Sequence, residues 1–467
     1  MKRKYFFIVI FFLFYNNLFG QGRDNYWPLG YHSFTSFPDV GGLTVDFSNN
    51  VFNFYDHPRE MWMQFTNASI CDDIGNLLFY TNGVYIANAQ DDTMLNGSGI
   101  NPSFYTTSFY QGGLRLPQAN IILPKPGNDS LYYLFHETKD ITFGSSNTRG
   151  IYLYSSTINM NGDSSRGEVI NKNNILLTDT LFVGALTACK HANGRDWWLL
   201  VPEYGSNLGY YTLLITPDTI QEFSHNYYPI DGSEGGQACF SPDGSKYILT
   251  YWWGAAFFDF DRCTGTLNLI DTISKGNAIY CLGASVSPNS QYCYITLDGL
   301  YILQFNLQAS NIPASVDTVA VWDGYPVGGI PAAFWLHQIG PDGKIYISTG
   351  NTTWTYHKID DPDSAGIACD MQQHPIIFPH ANNSIPNFPN YNLGRLIGSP
   401  CDTLQWAGVT EEEQWKFRFS VLPNPNAGNF KISYLLPQNK NGLFQIIDVT
   451  GKTVYKQNLP QWSTLQN

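Results

Sequence analysis

The chain has 467 residues, a formal net charge of −13, 13% charged residues and 16% aromatic residues. An acidic balance repels phosphate backbones and anionic lipid, which speaks against nucleic acid as a partner. Charged residues well below the ~25% of an ordinary domain, together with 30 Tyr, 31 Phe, 42 Gly and 26 Pro, describe an all-β extracellular protein rather than a helical one.

Residues 1–20 read as a secretory signal peptide. Lys2, Arg3 and Lys4 form the positive region, Tyr5 to Tyr15 the apolar core, and cleavage is expected between Gly20 and Gln21. The apolar run is too short to span a bilayer, and no later stretch reaches the about 18 apolar residues a transmembrane segment needs. Loss of the three signal-peptide cations takes the net charge from −13 to −16. No Cys stands at the cleavage point, so no lipid anchor is expected.

From there to residue 405 one phrase returns: an apolar strand, a Pro-Asp-Gly-like turn, and a second apolar strand. It is clearest in Gln237–Thr250, recurs in Ala284–Thr296 and His337–Ser348, and has looser copies at Cys71–Tyr80, Leu123–Leu134 and Cys189–Leu200. Pro presets φ, Asp bonds back to the backbone and Gly accepts positive φ. With the turn position at Gly75, Gly127, Gly194, Gly244, Ser290 and Gly343, the gaps are 52, 67, 50, 46 and 53 residues. That period fits a four-stranded propeller blade of ~40–50 residues with longer loops, and not the shorter helical repeats. Within a unit, Ala238/Phe240, Tyr247–Tyr251 and Ala255–Phe260 are expected to alternate as a half-buried sheet does. A further blade is expected to join the two ends, with Leu43–Ser48 as a strand and Ile376–Ile397 supplying its partners, because closure removes sheet edges. The expected architecture is a seven-bladed β-propeller over 21–405, against six or eight blades.

A charged linker over 406–416 containing Glu411–Glu413 precedes a second region, 417–467, in which Pro423-Asn424-Pro425 and a Thr-Gly hairpin separate alternating runs. Those features alone predict a small β-sandwich. Pro423-Asn424-Pro425, Gly428-Asn-Phe430 and Asp448-Val-Thr-Gly451-Lys452 in this order resemble the C-terminal sorting domain of type IX secretion cargo. The resemblance implies handling by the type IX machinery and a secreted or cell-surface location in a Bacteroidetes-type bacterium. The family pattern continues through two more strands that do not precede Asn467, so the domain is expected to be incomplete. The phrases Asn76–Gly83, His191–Trp198 and Asn387–Leu393 likewise resemble secreted propeller proteins of that group, of the tryptophan-aspartate-repeat-like kind. That resemblance implies the fold and assigns no activity.

Chemistry is harder to find. There is no Gly-x-Ser-x-Gly elbow, His-Glu-x-x-His, calcium loop ending in Glu, or C-x-x-C pair. Asp72-Asp73 and Asp91-Asp92 are candidate calcium ligands in loops, solvated turn acids being the alternative; no other cofactor is expected. His191 is expected to serve its turn. The eight cysteines allow up to four disulfides in an exported protein, or several buried thiols, with Cys189 and Cys239 at equivalent inward positions. Aromatic-rich strand ends carry the candidate ligand-binding residues Tyr251, Trp252, Trp253, Trp354 and Tyr356, with packing between blades as the alternative. The expected function is non-enzymatic binding of a protein or glycan. The competing readings are a carbohydrate-active hydrolase or lyase with axial carboxylates, and a scaffold of the secretion or gliding apparatus.

Overall fold

A computed structural model of the chain describes residues 22–33, 39–141, 148–230, 232, 235–274 and 280–402, and in the tail 418–422, 431–435, 442–447 and 453–459. Two compact units divide it, one of Phe19–Thr403 and one holding the residues from Leu404 onward.

The first unit opens with a three-stranded antiparallel sheet of β1 (Tyr26–Gly30), β2 (Gly42–Asp46) and β3 (Asn53–Asp56). Four-stranded meanders follow in chain order. They are β4–β7 (Ala68–Cys71, Leu77–Thr81, Tyr85–Asn88, Thr93–Ser98), β8–β11 (Asn120–Pro124, Leu131–Ile141, Thr148–Asn159, Glu168–Leu181) and β12–β15 (Thr187–Lys190, Trp197–Glu203, Leu208–Ile215, Ile220–Tyr228). Next come β16–β19 (Ala238–Phe240, Lys246–Tyr251, Gly254–Asp261, Thr266–Ser274) and β20–β23 (Cys281–Val286, Tyr292–Leu297, Tyr301–Asn306, Asp317–Val321). A short ribbon, β24 (Pro326–Val327) with β25 (Ile330–Pro331), leads into β26–β29 (Phe334–Ile339, Ile345–Thr349, Thr353–Ile359, Met371–Asn382). The first strands β4 and β8, β12 and β16, β16 and β20, and β20 and β26 are neighbours, β11 links the second meander to β7 and to β13, and β29 lies beside β1, so the sheets form a closed β-propeller. Closure of this kind leaves no long unpaired edge between first and last sheets.

The middle strands differ from the half-buried expectation. Tyr247 to Tyr251 are all buried, as are Ala255 to Phe258. Their alternation is intact, but each face meets a different neighbour. Tyr247, Leu249, Ala256 and Phe258 pack with Trp198 and Tyr210 of the preceding meander. Ile248, Ala255 and Phe257 pack with Val286, Cys293 and Phe305 of the following one. A sheet sandwiched between two others buries both faces, and only outer strands such as β15 stay largely exposed. Each large side chain so buried contributes roughly 1.5–3 kcal/mol relative to exposure.

The ring joins its ends differently from the expectation. The strand Gly42–Asp46 takes both partners, β1 and β3, from the N-terminal side. Residues Met371–Asn382 instead complete the last meander against β28. The seam is made by single bonds: Gly30 N–H donates to Asn382 Oδ1 (3.2 Å), Ala381 N–H to Asp39 O (2.9 Å), and Asn67 Nδ2 to Pro28 O (2.6 Å) and Ser384 Oγ (3.3 Å). Beyond Asn382 the chain continues as a strap, residues 383–402, whose first part, 383–389, is buried against the inner strands.

In the tail, β30 (Arg418–Leu422) pairs antiparallel with β31 (Lys431–Leu435), and β32 (Gly442–Ile447) with β33 (Thr453–Leu459). Gly20 and Gln21, the linker 406–416, and the motif residues Pro423, Asn424, Pro425, Gly428, Asp448 and Gly451 lie outside the described residues.

Candidate functional site

The Pro-Asp-Gly turns gather at one end of the propeller, and their residues hold one another. Gly244, at φ +73°, donates its N–H to Ser241 O (2.8 Å), while Asp243 Oδ1 accepts from Ser241 Oγ (2.6 Å) and Ser245 N (2.9 Å). The next copy places Ser290 at the same left-handed position, φ +61°. Its hydroxyl accepts from Asp243 N (3.0 Å), so the non-glycine residue links two neighbouring turns. Asp72 accepts from Ile74 N (3.0 Å) and Asn76 N (2.9 Å), Asp73 pairs with Arg23 (2.6 Å), and Asp91 pairs with His57 (2.7 Å) and accepts from Tyr80 (2.6 Å). Three of the four carboxylates read as candidate calcium ligands, Asp72, Asp73 and Asp91, thus hold turns and ion pairs. No cluster of three or more His, Cys, Asp or Glu with metal-binding geometry occurs among the described residues. His191 holds its turn through Asn193 N (3.0 Å) and Cys263 O (3.2 Å).

Inside this end lies a cavity of about 250 Å³, bounded by the innermost strands β12, β16, β20 and β26 and by the strap residues Asn387–Leu393. Buried amides tie these walls together. Gln237 Oε1 accepts from Ala284 N (3.1 Å) and His337 N (2.9 Å), and its Nε2 donates to His337 O (2.6 Å). Gln118 bonds both backbone groups of Ala238 (2.7 and 2.8 Å) and Asn387 Oδ1 (3.1 Å). Asn387 Nδ2 donates to Asn120 O and Leu186 O, both at 2.9 Å.

His337 is fully buried, its two ring nitrogens facing Ser285 Oγ (3.1 Å) and Thr296 Oγ1 (2.7 Å). Burial pushes it down to about 3, so it stays neutral and is no proton shuttle near neutral pH. The one carboxylate in the lining is Asp24, pushed up to about 6 by burial. Hydrolysis of glycosides needs two facing carboxyls about 5–9.5 Å apart, and the lining offers one.

The opposite end is built otherwise. The β17–β18 hairpin that starts at the Pro-Asp-Gly turn ends at Trp252-Trp253, and Tyr280 precedes β20 beside it. Trp252 is 49% and Tyr280 44% exposed, and Trp253 is half-buried. Trp252 and Tyr280 meet at 90° with centroids 5.7 Å apart, Trp253 lies 5.7 Å from Tyr280, and the two indoles are perpendicular at 6.3 Å. Gly235 has no Cβ because the Trp252 ring occupies that space.

Of the five aromatics singled out from the sequence, Trp252 and Trp253 meet in this cluster. Tyr280, which no repeat signal marked, completes it. Trp354 is half-buried against the core and packs on Gly328 of the β24–β25 ribbon, apart from the cluster. Tyr251 and Tyr356 are corrections. Tyr251 is buried between meanders, and Tyr356 is fully buried, donating to Ser384 O and accepting from Asn382 Nδ2 (2.9 Å). Neither presents a ring to a ligand, because strand positions between two sheets are enclosed on both faces.

Residues 420–467 match the family model of the secretion system C-terminal sorting domain. No curated protein matches the chain in sequence. Among solved structures, a Lactobacillus plantarum protein is 12% identical with a TM-score of 0.43, over 77% of this chain and 98% of its own. The periplasmic gluconolactonase of Pseudomonas aeruginosa is 11% identical with a TM-score of 0.43, over 77% and 98%. The Dos1 propeller is 12% identical with a TM-score of 0.38, over 67% and 73%. At these scores the likenesses carry no argument about chemistry. The chain is a β-propeller protein that bears a type IX secretion sorting domain at its C-terminus.

Proposed function

We propose that the chain is an exported, non-enzymatic propeller of seven blades, the N-terminal sheet and the meanders together, that binds an extracellular glycan. The observation that carries this reading is the Trp252, Trp253 and Tyr280 cluster at the end opposite the turns. Trp252 and Tyr280 each leave nearly half of their surface uncovered, apolar ring surface of the kind on which a sugar ring can stack. Of the two ligand classes open from the sequence, the glycan is favoured because the cluster itself carries no charged side chain. The sorting tail, which completes a small sandwich in this reading, delivers the module to the cell surface or medium through the type IX machinery.

Against the hydrolase reading stands the turn-end cavity, where Asp24 has no carboxylate partner in the lining. The test is retardation of the purified full chain in gels containing soluble polysaccharides, with tryptophan fluorescence as the second readout. Trp252→Ala and Tyr280→Ala are expected to abolish the retardation while the far-ultraviolet spectrum stays unchanged. Retardation undiminished in both variants overturns the assignment of the site. Polysaccharide cleavage that is lost in Asp24→Asn overturns the non-enzymatic reading.

A further inference from the structure

Six cysteines stand apart from the pair described here; Cys71, Cys189, Cys281, Cys293 and Cys369 are buried and Cys239 is half-buried. The remaining two, Cys263 and Cys401, are both partly exposed and 138 positions apart in sequence. The fold brings them together. Cys263 sits in the turn between β18 and β19, its N–H donating to Asp261 Oδ1 (2.8 Å), with Gly265 N closing the turn on Asp261 O (2.8 Å).

Cys401 ends the strap, in a turn where Asp402 N donates to Ser399 O (3.0 Å) and the Asp402 carboxylate meets Arg395 (3.5 Å) and Gly398 N (3.2 Å). The strap is docked beside the Cys263 turn by Leu396 N to Ala192 O (2.8 Å), and Ala192 N in turn donates to Arg262 O (2.9 Å). Arg262, next to Cys263, donates to Gly394 O. Gly194 completes the fit: a Cβ there would lie 2.7 Å from Arg395 N, so the strap backbone passes where only glycine leaves room. The Cys401 turn folds back on Arg395 through Asp402, Arg395 lies against Gly194, and His191 of the same turn bonds Cys263 O (3.2 Å), so the two partly exposed cysteines lie on neighbouring turns with Cys263 as the side-chain neighbour of Cys401.

We propose that Cys263 and Cys401 form a disulfide after export, stapling the end of the strap to the β18–β19 turn. The oxidant is a thiol–disulfide exchange protein of the cell envelope or a small-molecule disulfide. One thiol loses its proton and attacks the carrier's disulfide, giving a mixed disulfide and one carrier thiolate. The second, deprotonated in turn, displaces the other carrier sulfur, so the Sγ–Sγ bond forms as the carrier is reduced to two thiols. Burial, and next the Cys263 thiol, push Cys401 up to about 11, which keeps the thiolate scarce and makes a catalysed exchange the effective route. The staple closes a long loop and so restricts the unfolded chain strongly. It lies just before the boundary at Leu404, so it fixes the last described residues of the propeller unit.

The full chain is oxidised with glutathione disulfide, denatured, alkylated, digested and analysed by mass spectrometry. The expected result is six alkylated cysteines of the eight and one cross-linked peptide pair containing Cys263 and Cys401. Reductant is expected to lower Tm by about 5 °C in the oxidised wild type and to leave the Cys263→Ser/Cys401→Ser double variant unmoved. Alkylation of both residues after oxidation, a link from either to another cysteine, or an equal Tm response in the double variant overturns the proposal. The peptide map needs no variant, so a folding defect in the double variant does not obscure the answer.

Discussion

The two ends of the propeller are made from the same strands, yet they are built on opposite principles. At the turn end, polar side chains point inward and are consumed: Gln237, Gln118 and Asn387 each bridge two or more chain segments, and His337 has a partner at both ring nitrogens. At the aromatic end, Trp252 and Tyr280 leave much of their ring surface uncovered. A buried amide that satisfies backbone groups of two sheets is costly to remove and has nothing left for a ligand. An exposed ring is cheap to remove and has a face to offer. The contrast teaches that regular repetition marks the structural end, and function belongs where the copies depart from one another.

The strongest way to break the contrast is Gln237→Ala. It strips partners from Ala284 N–H, His337 N–H and His337 C=O in a buried site, and we expect a loss of about 4 kcal/mol in urea unfolding. If the loss is below ~1 kcal/mol, the axial amides do not hold the walls together. Next comes pH. His337 and His136 are pushed down to about 3 and His357 to about 4, in each case chiefly by burial. The unfolded chain takes up these protons near the ordinary histidine value of about 6.5, so it binds more protons than the folded chain between there and about 3. Their contribution is complete above that window and is lost as pH falls through it.

Asp24, raised to about 6 by burial, acts oppositely: its contribution is present at low pH and lost as pH rises through 6. Three histidines outweigh one aspartate, and stability is expected to fall by roughly 3 kcal/mol from pH 7.5 to pH 5. Denaturant midpoints across that range check it, with a shallower slope in His337→Gln. Asn387→Ala, which frees the strap from Asn120 O and Leu186 O, is expected to cost ~2 kcal/mol. Its sharper signature is faster hydrogen exchange in residues 383–396 than in the meanders. The smallest effect on stability belongs to Trp252→Ala, within ~0.5 kcal/mol, together with a loss of about tenfold or more in glycan affinity. A large destabilisation there would place Trp252 with the structural residues and dissolve the contrast.

Much of the fold was legible because propeller blades repeat. The turn positions Gly75, Gly127, Gly194, Gly244, Ser290 and Gly343 each mark one meander, since a turn needing positive φ or a side-chain bond selects a narrow set of residues. The alternation of Tyr247–Tyr251 was legible too, but its meaning was not. Period-two patterning tells which residues share a face and not whether a face meets solvent or another sheet, which is why the sequence leaves ligand binding and packing between blades both open for Tyr251 and Tyr356. Closure was misplaced for a related reason. The strand at Gly42–Asp46 finds local partners, and the seam rests on Asn382, Asn67 and Asp39, whose bonds leave no periodic trace.

By itself, then, the sequence determined the class, the repeat length, the turn chemistry and the tail's motif, because local backbone geometry and short-range spacing dictate all of these. Only the tertiary structure decided what lies side by side across the ring. It joined Gln237 to His337, set Tyr280 against Trp252, and brought Cys401 to Cys263. Those pairs are many residues apart in sequence, and their proximity is fixed by how the sheets close on one another.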